Sequence, residues 1–221
     1  MENTKAIVDT CFLLKLAPEE SNIANLKKII DCLGFQPVAH PYVVEHELQL
    51  LSYLMKLVND GFIRKIEYPE FIRDADDCLL YESRFRMLHE EMRLRLDAKN
   101  GAKKIEKLYI PEGQTIFNTH KKGNSMADVH MILMAAELRL PVILTEDSDI
   151  SLLKGIATEK TMFNGFSVTV YDGLELLTQI ADLPKTDAFD LTRKELKQSL
   201  RIIGATDSEQ KGIMSLWDAS K

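Results

Sequence analysis

The chain is short of the residues that staple small secreted proteins. It has three cysteines in 221 residues: Cys11, Cys32 and Cys78. Their odd number and wide spacing give neither a disulfide framework nor a paired metal knuckle, and they read as reduced thiols of a cytoplasmic protein. No apolar run approaches the roughly 20 residues of a membrane span, and "MENTKAIVDTCF" has no basic region followed by an apolar signal core. No membrane partner is expected. A positive balance is missing too. The 28 Lys and Arg residues face 34 Asp and Glu, for a net charge of -6. Nucleic-acid binding therefore has no global electrostatic support and needs a local basic surface. Neither an internal repeat nor a low-complexity tract interrupts the chain.

What is present is a globular composition, 45% hydrophobic, enough for one large domain or one domain with an appendage. "KAIVDT" reads as a short strand ending at Asp9. "NIANLKKIIDCLGF" reads as a helix stopped by Gly34. "FQPVAHP" is a second strand, weakened by Pro37. "YVVEHELQLLSYLMKLVNDG" reads as one helix with a stripe of Leu50, Leu51, Leu54 and Leu57, and "FIRKIEYP" as a short edge strand. Asp74 to Lys107 favours a long helix or a helix pair breaking near "NGAKK". "NSMADVHMILMAAELRL" is the clearest helix, capped by Asn124 or Ser125, with Val129, Ile132, Leu133 and Ala136 inside. The strand "PVILT", a helix around "DISLLKGIA", the strand "FSVTVYD" and a helix "LELLTQIADL" follow. This alternation predicts an α/β fold, a three-layer α/β/α sandwich around a parallel sheet. The expected division is a domain over 1–183, with a helical insertion at about 70–122, and a helical C-terminal tail over 184–221.

In such a sheet, chemistry collects beyond the carboxyl ends of the strands. Asp9 ends the first strand, and Asp147 and Asp149 follow "PVILT". Asp128 lies in the first turn of the helix before that strand, and Glu47 in the first turns of the helix after the second. Acids from four segments thus come to one edge. An all-oxygen set suits Mg2+ or Mn2+, which can activate a water and stabilise charge on a phosphate. Singly, each acid has a plainer reading: Asp9 and Asp147 as helix N-caps, Glu47 and Asp128 as charges favoured by a helix N-terminus.

"IVDTCFLL", "HELQLL" and "ADVHMILMAAELRLPVILTEDSDI", in this order, resemble the PIN domain, over roughly residues 4 to 180. The family includes metal-dependent ribonucleases, among them toxins of toxin–antitoxin pairs. The resemblance implies Asp9, Glu47, Asp128 and Asp147 as catalytic acids holding Mg2+ or Mn2+, with Asp149 a further metal-binding acid. It implies Thr10 and Thr145 as supporting hydroxyls. Cys11 and Glu146 stand where the family commonly carries Asn, and Glu45 competes with Glu47 for the second acid. The implied activity is endoribonucleolytic hydrolysis of RNA. A PIN-like module that binds RNA or protein without cleaving is the alternative. A phosphoaspartyl phosphatase is a poor third, because Cys11 stands where its motif needs a second Asp.

The stretch from Glu82 to Lys122 is locally basic. Arg93, Arg95, Lys103 and Lys104 are its candidates for RNA-phosphate contact, against the plainer reading of a solvated face paired with Glu90, Glu91 and Asp97. The five histidines show no catalytic pairing and read as packing or surface residues. Besides RNA, an antitoxin or regulatory protein and a second copy of the chain are candidate partners. The apolar tail residues, Trp217 among them, need a surface to bury against.

Overall fold

The computed structural model describes residues 4–98, 104–120, 125–185 and 190–220. The chain folds as an α/β protein around a five-stranded, wholly parallel sheet with helices on both faces, a three-layer sandwich. The strands are β1 (Thr4–Val8), β2 (Phe35–Ala39), β3 (Arg64–Lys65), β4 (Val142–Leu144) and β5 (Thr169–Tyr171), in the order β3-β2-β1-β4-β5. β1 lies at the centre, with Ile7 opposite Val38 on one side and Ile143 on the other. Ala6, Ile7, Val8, Ile143 and Leu144 are fully buried. Sheets covered on both faces make continuous apolar strands of this kind. Pro37 is tolerated because β3 pairs with β2 only from Val38 onward, leaving the proline on a free edge.

α1 (Thr10–Leu16) and α2 (Ile23–Cys32) cross from β1 to β2. The turn after α2 closes through Gly34 at φ +64°, a conformation that costs a residue with a Cβ. From β2 to β3 the sequence predicts one helix, and the chain does not form it. α3 (Pro41–His46) ends at Glu47, a single 3-10 turn spans Leu48–Leu50, and α4 (Ser52–Asn59) starts afresh. Leu48, Leu54 and Leu57 are buried, whereas Leu50 is 73% exposed. The break rotates the second half, so the stripe that began with Leu50 is not one face.

α5 (Ala75–Ala98) is a single long helix and packs with α6 (Met126–Leu138) and α7 (Asp149–Glu159). α6 is wrapped on all sides: every residue from Met126 to Ala135 is buried, a wider face than its four expected core positions. Its entry also differs. Ser125 sits at φ +48° and makes no cap, its hydroxyl turning to Asp149 instead; Asn124 lies outside the described residues. α8 (Gly173–Asp182) returns against α1 and α2 on the other face.

The last two helices, α9 (Arg193–Ile202) and α10 (Asp207–Ala219), each open on a capping box, Thr192 with Glu195 and Thr206 with Glu209. α10 packs on α8 and α9 on α1. Leu196, Leu200, Ile203, Ile213 and Trp217 are all buried there. No helix among the described residues is long and apolar enough to cross a membrane.

Candidate metal centre

The strand order reverses between β1 and β4: the chain first steps outward through β2 and β3, then returns to the far side of β1. Such a switch point leaves a crevice beyond the carboxyl ends of the two strands, the usual ligand position in open α/β sheets. Asp9 follows β1, and Asp147 and Asp149 follow β4. The Asp9 amide donates to the Leu144 carbonyl at 3.0 Å, tying the two strand ends together. α6 runs down toward the start of β4, so its first turn, with Asp128, lies at the same edge.

Asp128, Asp147 and Asp149 each bring a carboxylate oxygen within 4.8 Å of the other two. Asp128 and Asp149 are buried and Asp147 half-buried. This group can hold a metal ion. The donor set fits a hard divalent cation, since it consists only of carboxylate oxygens. The buried Thr10 hydroxyl interacts with the Glu47 carboxylate and pulls its pKa down, against the burial that raises it.

Asp9 stands beside this group rather than in it. It serves as the N-cap of α1: Oδ1 accepts from the Thr10 amide at 2.6 Å. Its Oδ2 accepts from the Thr145 hydroxyl at 2.9 Å and the Cys11 thiol at 2.5 Å. Burial pushes the carboxyl pKa up, the three hydrogen bonds pull it back, and the nearby Asp147 raises it again. Glu47 closes α3 and precedes the 3-10 turn without capping it through its side chain, so no α-helix N-terminus accounts for its charge. Burial, and then the charge of Asp9, push its pKa up to about 7. Glu45, two residues earlier, points elsewhere and pairs with Lys65 at 2.8 Å.

The loop after β4 is locally wired. The Asp147 amide donates to the Thr145 hydroxyl at 3.0 Å, and the Asp149 amide donates to Asp147 Oδ1 at 2.9 Å. Asp147 thus supports the start of α7 with the same carboxylate that could also serve a metal. Glu146 turns away, its carboxylate accepting from the Gly173 amide at 2.7 Å. Cys11 has a part that sequence reasoning missed. Its sulfur receives the Glu146 amide at 3.2 Å while the thiol proton goes to Asp9, which splices the β1 and β4 loops. The available signal was its place two residues after a strand-ending Asp. Burial holds the thiol protonated, well above its usual range.

Beneath this edge lies a second buried polar cluster, also missed. The Tyr81 hydroxyl lies 2.9 Å from His130 Nδ1 and 3.3 Å from His40 Nε2, while His130 Nε2 lies 3.0 Å from the Ile116 carbonyl. The two imidazoles stack with centroids 4.7 Å apart. Burial pushes both below the usual histidine range, His130 to about 3.

The basic candidates of α5 lie apart and are engaged. Arg93 bonds Glu90 at 2.7 Å and Asp97 at 2.9 Å, and Arg95 bonds Glu159 at 2.5 Å with Glu91 at 3.8 Å. Lys104 is exposed, and Lys103 lies outside the described residues.

Comparison with family models, with curated proteins and with solved structures returns no match.

Proposed function

We propose that this chain is a metal-dependent nuclease of the PIN type, an endoribonuclease that hydrolyses RNA phosphodiester bonds. The observation that carries the reading is the Asp128, Asp147 and Asp149 group, with ligand atoms within 4.8 Å of one another at the sheet's switch point. RNA as the substrate follows from the resemblance of the ordered motifs. Asp128, Asp147 and Asp149 would hold Mg2+ or Mn2+, with Asp9 and Glu47 adjoining. The bound ion would supply an activated water and offset charge on the phosphate.

The residues themselves do the positioning. Thr145 and Cys11 fix Asp9 Oδ2, and Thr145 also orders the backbone at Asp147. Burial raises the pKa of both Glu47 and Asp9, and a neighbouring carboxylate adds to it, Asp9 for Glu47 and Asp147 for Asp9. A cation among them would relieve that cost.

A second reading, binding without cleavage, is favoured by one observation. Asp9 Oδ2 already takes two donors and Oδ1 a third, so few lone pairs are left for a metal. One assay separates the readings. Labelled single-stranded and structured RNA and DNA are incubated with the protein in Mn2+, Mg2+ or EDTA. The nuclease reading expects RNA cleavage that requires the metal and disappears in Asp128→Asn. Retained RNA binding with no cleavage in either metal selects the second reading.

A further inference from the structure

α9 carries Arg193, Lys197 and Arg201 at four-residue intervals, which lines them along one helix face. α10 lies antiparallel beside it. Arg193 donates to both Asp218 oxygens at 2.9 Å near one end, and Gln210 donates to the Ala205 carbonyl at 2.8 Å near the other. Between the two helices runs an open groove of about 570 Å³, lined by these three cations, Lys211 and the buried Met214. Asp207 and Asp218 are its carboxylates. Asp218 is engaged by Arg193, and Asp207 sits in the first turn of α10, where the helix dipole favours it. Lys197, Arg201 and Lys211 are exposed and form no ion pair with any described residue. In a chain of net charge -6 this is an unneutralised basic strip, unlike the paired arginines of α5.

The direction of the strip matters. Asn25 bonds Ser199 at 2.6 Å and Lys28 bonds Glu195 at 3.0 Å, so α9 runs antiparallel to α2. α2 descends toward the start of β2, so α9 rises toward the carboxyl edge of the sheet. Ile203, just past its end, lies against Gly173, the residue whose amide holds Glu146. The Arg201 end of the groove therefore opens at the edge that carries the acids.

We propose that the α9–α10 groove binds the phosphate backbone of a single RNA strand and leads it to the acidic edge. RNA as the ligand class rests on the nuclease reading. An acidic peptide helix fits less well, because such helices anchor through apolar side chains in a hydrophobic groove, and here Met214 is the only large apolar residue of the lining among the described residues. No aromatic side chain among the described residues lines the groove. It therefore meets phosphates without stacking bases, and its affinity is indifferent to sequence and steeply dependent on salt.

The test is fluorescence anisotropy with the full chain and a labelled single-stranded 12-nucleotide RNA of mixed sequence, in EDTA so that nothing is cleaved. The variant Lys197→Glu/Arg201→Glu/Lys211→Glu is expected to bind at least tenfold more weakly at low salt. Its plot of log affinity against log salt should be shallower by about 2, at roughly 0.7 for each phosphate no longer neutralised. If the triple variant does not fold, Lys197→Ala and Lys211→Ala serve instead, each expected to lower the slope by about 0.7. An unchanged slope overturns the proposal, and so does a poly-glutamate peptide that binds as tightly as the RNA. The two readings fail separately. Groove-dependent RNA binding by a wild-type protein that never cleaves sinks only the nuclease, whereas metal-dependent cleavage with an unchanged slope sinks only the groove.

Discussion

Two buried polar clusters lie close together in this molecule, and they are built on opposite plans. In the cluster of Tyr81, His40 and His130, neutral groups answer one another, and burial simply keeps the rings uncharged. At the acidic edge, carboxyl groups are taken out of water beside others of the same sign; burial first, and like charge after it, raises the pKa of Glu47 and of Asp9. The first arrangement is complete as it stands and needs no ligand. The second is costly by itself, and the cost is of the kind a cation removes. Buried polarity alone therefore says little about function. Whether the group satisfies itself is the discriminating property.

The largest expected effect is on activity. Asp128→Asn should lower Mn2+-dependent RNA cleavage by at least a hundredfold and abolish the rise in melting temperature expected of Mn2+ with the wild type. Wild-type-like metal stabilisation in the variant would place the ion elsewhere.

Next comes Glu47→Gln, which should act in the opposite direction on stability. The native pKa of about 7 lies above the ordinary value of 4.5. The native state thus holds a proton that the unfolded state has released, and stability declines as pH rises from about 4.5 through about 7. At pH 8 without metal, Glu47→Gln should therefore be more stable than wild type by about 1–3 kcal/mol. Urea unfolding in EDTA reads this, and a destabilised variant would show that Glu47 is not a strained charge.

Tyr81→Phe should cost about 1–3 kcal/mol, because both imidazoles lose a buried partner. It should leave the Mn2+ response intact. If it abolished that response, the two clusters would be one system.

The last expected effect leaves the sequence unchanged and concerns His130 and pH. Its folded pKa of about 3 lies below the ordinary value of 6.5, so its contribution to stability is complete above 6.5 and fades as pH falls. Between pH 7 and pH 5 that fading amounts to about 2 kcal/mol. Imidazole signals of His130 should show no titration by NMR over that interval, and an inflection near 6.5 would contradict the burial argument.

The α/β alternation and the parallel sheet were legible because β4 and the second half of β1 are unbroken apolar runs, β1 closed by Asp9 and β4 opened by Pro141. The gathering of Asp128, Asp147 and Asp149 was legible for a related reason. Strand ends and helix starts fix position along the chain, and the switch point fixes it in space. Two things were hidden. Helical spacing runs through Glu47 to Leu50 without a breaker, and only packing against the rest of the fold ends α3 there, a case of tertiary contacts overriding local preference. The histidine cluster was invisible because His40, Tyr81 and His130 come from three distant segments. No periodicity links them.

The enclosure of α6 has a consequence for how the acidic edge opens. Backbone amides of a helix buried all round should exchange with deuterium only when the whole protein unfolds, whereas a short helix with a broken continuation can fray by itself. Asp128 sits on the first kind of element and Glu47 at the end of the second. In exchange experiments the amides from Ile132 to Ala135, inside α6 and bonded along it, should thus rank among the slowest and those from Glu47 to Leu51 among the fastest. One side of the crevice would be as permanent as the fold, and the other could swing aside to admit a bulky strand.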